Sequence, residues 1–184
     1  MATAFDVIDR TGFLPPDQLA HWAEDRPLPI GLGQTNSQPR TVADMLRLLD
    51  VHMGDRVLDV GAGSGWTTAL LAWLTGPSGR VDGVEVRPEL VTWGAANLAR
   101  TDQPWATIRP AHRTRLGLPE EAPYDRILVS AEPARLPQAL VEQLVDGGVM
   151  VIPVRGTMMR VVRAGRGVRT TTHGSYRFVP LVVP

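Results

Sequence analysis

The stretch Val57-Leu58-Asp59-Val60-Gly61-Ala62-Gly63-Ser64-Gly65-Trp66 limits what this chain can fold into more than any other. A run of strand character passes directly into three alternate glycines and then into an apolar segment suited to a helix. A strand that turns at once into a helix needs backbone angles closed to most side chains, and glycine adopts them freely. The missing side chains also let a ligand lie against the backbone. The N–H groups of the turn and the helix start are expected to be free to hold it. Such units belong to α/β folds whose parallel strands are joined by crossover helices.

The rest of the chain repeats that rhythm. Residues 56–60 predict a buried strand, 67–74 a helix, 80–86 a second strand, and Pro88 the first residue of a helix reaching about Ala99. A short strand at 106–109, a strand at 126–130, a helix at 137–145 and a strand at 149–154 follow. Upstream, Val42, Met45, Leu46 and Leu49 are spaced for one apolar helix face. Residues 1–30 carry one short helical signal, broken up by Pro15, Pro16, Pro27 and Pro29, and residues 31–39 read as a polar glycine-containing loop. From residue 157 the pattern shifts to strands at 158–162, 168–172 and 176–183, the antiparallel end of a sheet. The expectation is one α/β domain over residues 1–184, with a mostly parallel central sheet and helices on both faces. Within it, residues 1–38 form an N-terminal segment and loop, 39–154 the binding core, and 155–184 the C-terminal strands.

With 43% hydrophobic residues in 184, one sizeable core is available. Nineteen acidic residues balance nineteen basic ones, all Arg, so no global field draws in nucleic acid or anionic lipid. Six arginines follow Asp146 with no acid among them, most simply solvated strands and turns. The absence of Cys excludes disulfides and thiolate chemistry. His21, His52, His112 and His173 show no metal-ligand spacing. No signal-peptide core and no apolar run of about 18 residues occurs, so a cytoplasmic protein with neither membrane nor nucleic acid as partner is expected.

The glycine spacing favours one class of ligand over another. Dinucleotide loops carry G-x-G-x-x-G beneath a pyrophosphate. Here the pattern is G-x-G-x-G and no hydride-transfer residues are evident, which disfavours a nicotinamide-dependent oxidoreductase. S-adenosylmethionine has no pyrophosphate, and a turn after an acidic strand end (Asp59) suits it. Glu85 ends the second strand and can accept hydrogen bonds from both ribose hydroxyls. Its bland alternative is a carboxylate ahead of the helix at Pro88. Trp66 is expected to wall the pocket, and Trp73 and Trp93 to be core.

Leu28-Pro29-Ile30-Gly31-Leu32-Gly33-Gln34-Thr35-Asn36-Ser37-Gln38-Pro39 resembles P-I-G-x-G-Q-T-I-S-x-P, the signature of the protein-L-isoaspartate O-methyltransferases. VLDVGAGSGW, GVEVRPEL, APYDRILVSA, LPQALVEQLVDGGVMVIPV and FVPL follow in that family's order. The resemblance implies a Rossmann-like class I methyltransferase fold with a modified C-terminal strand order. It implies S-adenosylmethionine as cofactor and S-adenosylhomocysteine as product. The reaction it implies is repair: a methyl group passes to the free α-carboxylate of an L-isoaspartyl residue, and the ester closes to a succinimide unaided. The partner is then a protein or peptide carrying an isoaspartyl or aspartyl residue. The sequence does not set the oligomeric state, and a monomer is the favoured expectation. Ser37 becomes the residue tied to the reaction, with Gln34, Thr35 and Asn36 closing over the cofactor. Asp59, Gly61, Ala62, Gly63, Ser64, Gly65 and Trp66 form the cofactor turn, Glu85 takes the ribose, and Val86 and Arg113 flank the adenine. Ser37 also suits a cap for the helix entered through Pro39.

The chain departs from the pattern in three places. Asn36 stands where the signature has Ile, and the N-terminal segment is short. His112-Arg113-Thr114 replaces a Gly-Asp-Gly whose Asp reaches the adenine amino group. Arginine cannot accept a hydrogen bond; Arg113 either stacks on the ring or is a surface residue, with cofactor affinity simply weaker. Two other readings stay open: a dedicated enzyme that methylates an aspartate of one peptide to install a succinimide, and a non-catalytic interaction module. The adenine-loop change favours the module; the GQTNSQP loop, the glycine turn and Glu85 oppose it.

Overall fold

The computed structural model describes residues 3–182. Its centre is a sheet of seven strands in the order β5-β4-β3-β6-β7-β8-β9. These are β3 (Arg56–Val60), β4 (Arg80–Glu85), β5 (Ala106–Pro110), β6 (Tyr124–Val129), β7 (Leu144–Val154), β8 (Thr157–Ala164) and β9 (Gly167–Ser175). The first five are parallel, and β8 and β9 return antiparallel. Val57 pairs with Val81 of β4 on one side and with Arg126 of β6 on the other. The chain therefore leaves β3 in one direction and comes back on its other flank. That reversal opens a crevice at the strands' carboxyl ends, where open α/β sheets bind ligands.

Side chains alternate across the pleat and build two cores. Val57, Val81, Ile108, Leu128 and Val151 face α2 (Pro39–Leu49), α3 (Trp66–Thr75) and α4 (Pro88–Leu98). Leu58, Val60, Val84, Ile127 and Met150 face the other way, against Leu118, Tyr124 and the single turn of α5 (Gln138–Val141). Val42, Met45, Leu46 and Leu49 of α2 are all buried, as their spacing predicts. Each such side chain taken fully from water is worth about 1.5–3 kcal/mol.

Four expectations need correction. Residues 31–39 are not simply a loop: with the residues just before them they give β1 (Leu28–Gly31) and β2 (Gln34–Asn36), a hairpin with Leu28 opposite Asn36. Ahead of it, α1 (Ala4–Val7) and two 3-10 turns, Arg10–Phe13 and Pro16–His21, organise the N-terminal segment. The helix expected at 137–145 stops after one turn. Tyr124 N–H already donates to Gln143 O (2.7 Å), and Leu144 pairs with Tyr124, so β7 starts early. A register shift then takes up the residues before Val149, with Gly147 at φ +79°.

Residues 176–182 do not extend the sheet. Tyr176 donates its hydroxyl to Asp44 on α2 (3.1 Å) and Phe178 packs into the first core, drawing the chain off the edge. Val183 lies outside the described residues. Trp73, expected in the core, is exposed, on the outer side of an otherwise buried α3.

Candidate active site

The turn after β3 is built from backbone angles that only glycine tolerates well: Gly61, Gly63 and Gly65 have φ of +86°, +54° and +90°. Its N–H groups are less free than expected. Gly61 and Ala62 both donate to Val84 O, Gly65 donates to Ala62 O, and Gly63 donates to a Glu85 carboxylate oxygen at 3.0 Å. The turn is thus braced against β4 before any ligand is considered.

Glu85 is buried at the end of β4, and its other oxygen accepts from Val86 N–H (2.7 Å) and Arg87 N–H (3.0 Å). A carboxylate offers about four lone-pair directions. Three are spent on the protein, so it fixes its own orientation toward the crevice and keeps little capacity for more than one ribose hydroxyl.

Asp59 and Gly65 do not reach the crevice wall. Asp59 lies wholly buried under the turn, where Oδ2 accepts from the hydroxyls of Thr67 (2.8 Å) and Thr68 (2.7 Å) on α3. Burial pushes its carboxyl up to about 6, against the downward pull of the two hydroxyls, and the nearby Glu85 charge adds to the rise. Gly65 is a packing position. A Cβ there would stand 2.9 Å from Gly94 O, and a Cβ on Gly94 would stand 2.7 Å from Gly63 O. Helix α4 therefore lies directly on the turn, and Asn97 donates to Ser64 O (2.9 Å) from its last turn.

The hairpin folds back over this floor. Gln34, Thr35, Asn36 and Ser37 line one wall of a crevice of about 590 Å³; Gly61, Ala62, Gly63, Ser64, Trp66, Glu85, Val86 and Arg113 line it too. Among the described residues that line the crevice, Glu85 is the only acid. Ser37 is partly buried, and its hydroxyl makes no hydrogen bond among the described residues. It is not the helix cap: α2 starts after Gln38, whose side chain does not cap it. Trp66 is held by Nε1 donating to Ile8 O (3.2 Å), with Phe5 edge-on at 5.7 Å. Arg113 is exposed on the lip with no hydrogen bond or ion pair among the described residues.

Sequence reasoning missed Ser130 and Ala131, just past β6, and Val179 to Val182. Ser130 had a signal, since it follows the strand flanking β3. The C-terminal segment had the FVPL match at residues 178–181, which did not by itself point to the crevice. It crosses the mouth because Glu132 N–H donates to Val179 O and Leu181 N–H donates to Glu132 O, each 2.8 Å.

A family model described as protein-L-isoaspartate(D-aspartate) O-methyltransferase matches residues 1–183. The chain belongs to that family. A protein-L-isoaspartate O-methyltransferase from Aeropyrum pernix is 43% identical over 183 residues, covering 95% of this chain and 69% of the relative. One from Methanopyrus kandleri is 44% identical over 188 residues, covering 99% and 83%. A solved protein-L-isoaspartate O-methyltransferase superposes with a TM-score of 0.88 at 24% identity, over 97% of this chain and 60% of its own length, so this chain spans less than two thirds of that one. A Plasmodium falciparum protein assigned the same activity, solved with S-adenosyl-L-homocysteine, gives 0.85 at 25% identity, over 97% and 88%. The fold is thus the Rossmann-like methyltransferase one, with its C-terminal strands in a plain antiparallel meander. Among the described residues no helix is long and apolar enough to cross a membrane.

Proposed function

We propose that the chain is an S-adenosylmethionine-dependent carboxyl methyltransferase acting on L-isoaspartyl residues of proteins or peptides. One observation carries the reading: the hairpin with Gln34–Ser37 and the carboxylate of Glu85 face a single crevice at the carboxyl ends of β3 and β4. The crevice suits a nucleoside. Glu85 offers an oriented acceptor, Val86 and Leu116 give apolar walls, and the positive-φ turn keeps side chains off the floor. When bound, S-adenosylmethionine supplies an activated methyl group on a sulfonium centre.

The acceptor carboxylate is ionised at neutral pH, so the residues need supply no general base. Their work is placement, holding an oxygen in line at attack distance while excluding water. We assign the orienting hydrogen bond to Ser37, which lines the crevice and whose hydroxyl has no hydrogen-bond partner among the described residues. Gln34, Thr35 and Asn36 close that wall, and Val179 to Leu181 give extended backbone along which a substrate chain can run. Asp59 supports the turn from below. Arg113 can lie over the base edge in place of the acid, which weakens base recognition without removing the site. The partner in this reading is a damaged polypeptide. The even balance of 19 acidic and 19 basic residues supports neither nucleic acid nor membrane as partner, and we place a monomeric enzyme in the cytoplasm.

The test is calorimetry with S-adenosylhomocysteine, followed by methyl transfer from labelled cofactor to an L-isoaspartyl peptide and its aspartyl counterpart. Binding with transfer to the isoaspartyl peptide is expected. Binding without transfer to either peptide would sink the repair reading and favour the dedicated-substrate or non-catalytic one.

A further inference from the structure

We propose that Arg10, Asn36 and Ser64 form a polar latch that clamps the hairpin onto the glycine turn, making them positioning residues for Ser37 and the cofactor floor. The proposal rests on the methyltransferase reading above.

Asn36 is only 4% exposed. A buried amide is costly unless its polar atoms are paired, and here both ends are. Its Oδ1 accepts from Arg10 Nε at 2.8 Å, and its Nδ2 donates to Ser64 Oγ at 3.1 Å. Those two bonds join three segments far apart in sequence: the first 3-10 turn, the hairpin and the cofactor turn. Ser64 is anchored in turn to α4 through Asn97.

Arg10 is the fixed end. It is equally buried, and no carboxylate lies within ion-pair distance among the described residues. Its charge is met by carbonyl oxygens instead. The guanidinium donates to those of Trp22 (3.2 Å), Glu24 (3.0 Å), Arg26 (2.9 Å), Asn36 (3.3 Å) and Ser37 (2.9 Å), and lies 5.4 Å from the Trp66 ring centroid. Burial lowers its pKa to about 10, so it stays charged at neutral pH. The bond to Ser37 O fixes the backbone of the very residue assigned to orient the substrate, which lines the crevice.

An apolar side chain at 36, such as the Ile of the signature, could fill the same space but could make neither bond. Packing contacts are not directional; two hydrogen bonds set both a distance and an angle. In this chain the spacing between Ser37 and the cofactor floor is therefore set by Asn36.

The experiment uses the full chain with Asn36→Leu, Asn36→Asp and Ser64→Ala. Asn36→Leu removes both bonds. Ser64→Ala removes only the one to the turn. Asn36→Asp keeps an acceptor for Arg10 and can accept from the Ser64 hydroxyl. Three readouts are taken: S-adenosylhomocysteine affinity, hydrogen exchange at residues 34–37 with and without that ligand, and single-turnover methylation of an L-isoaspartyl peptide. The latch predicts that Asn36→Leu and Ser64→Ala slow transfer by about tenfold or more at saturating cofactor, as expected for lost positioning. Exchange at 34–37 should rise in both, and Asn36→Asp should recover most of both losses. A merely structural role predicts lower thermal stability with all three readouts unmoved. That pattern in Asn36→Leu and Ser64→Ala overturns the latch. If Asn36→Leu does not fold, Ser64→Ala decides. If the parent fails to methylate the peptide, the functional reading falls, while affinity and exchange still judge the latch.

Discussion

Asp59→Asn should make the protein more resistant to rising pH. Asp59 is wholly buried, with two hydroxyls on one carboxylate oxygen and no partner for the other among the described residues. Its carboxyl titrates near 6 in the fold, against 3.8 for an unperturbed group, chiefly because burial penalises the charge. Between those values the folded protein holds a proton that the unfolded chain has released. Stability therefore falls as pH rises from about 4 to about 6 and stays reduced above that. At ~1.4 kcal/mol per pH unit, the gap amounts to about 3 kcal/mol. Asparagine keeps the size and an acceptor for Thr67 and Thr68 but carries no charge, and any cost of its unpaired NH₂ is independent of pH. Urea unfolding of parent and variant from pH 4 to pH 8 isolates the effect in their difference. The variant should gain on the parent by up to about 3 kcal/mol, with most of the change below about pH 6.5. A difference that stays flat with pH, or runs the other way, would refute the reasoning.

Ser37→Ala should slow single-turnover methylation by roughly tenfold to a hundredfold while leaving cofactor affinity and thermal stability nearly unchanged, since the hydroxyl caps no helix. A loss of stability with little loss in rate per folded molecule would return Ser37 to a structural role. Glu85→Ala should weaken S-adenosylhomocysteine binding by about 2 kcal/mol or more in calorimetry, and also lower the melting temperature, because three backbone N–H groups lose their acceptor. Loss of stability with unchanged affinity would make it a brace only. Gly94→Ala should destabilise by about 1–3 kcal/mol in urea despite alanine's better helix propensity, because the new methyl meets Gly63 O; a stabilised variant would show that α4 can yield.

Much of this was legible where local chemistry dictates local shape. The passage from β3 through the glycines into α3 could be read directly, because backbone angle, periodicity and composition agree there. The hairpin could not. It pairs only three residues with three, around a tip where Gly31, Leu32 and Gly33 all have positive φ, and such short strands carry no alternation to read. Arg10 was invisible for a different reason. An arginine in a short N-terminal run looks solvated until residues 22–26 and 36–37 fold around it. The helix expected at 137–145 had the right periodicity and lost to a tertiary demand: Gln143 turns inward to bond Leu118 N–H (2.9 Å) and Leu116 O (2.8 Å), ending it. Asp59 and Gly65 were read as ligand-facing because motif position is visible in sequence, whereas the direction a side chain takes through the pleat depends on register.

The contact of Gly65 with Gly94 also restricts how such a chain can change over generations. Neither position can acquire a side chain while the facing backbone stays put, since a Cβ at Gly65 meets Gly94 O and one at Gly94 meets Gly63 O. Accepting even a methyl requires α4 to move outward by roughly half an ångström or more, because the new contact would start at 2.7–2.9 Å, and that movement draws Asn97 away from Ser64 O. Three positions, Gly65, Gly94 and Asn97, are thus coupled in how they can vary. Drift along α4 is confined to its outer side, and a relative that has lost either glycine should carry its mark at the other and at residue 97.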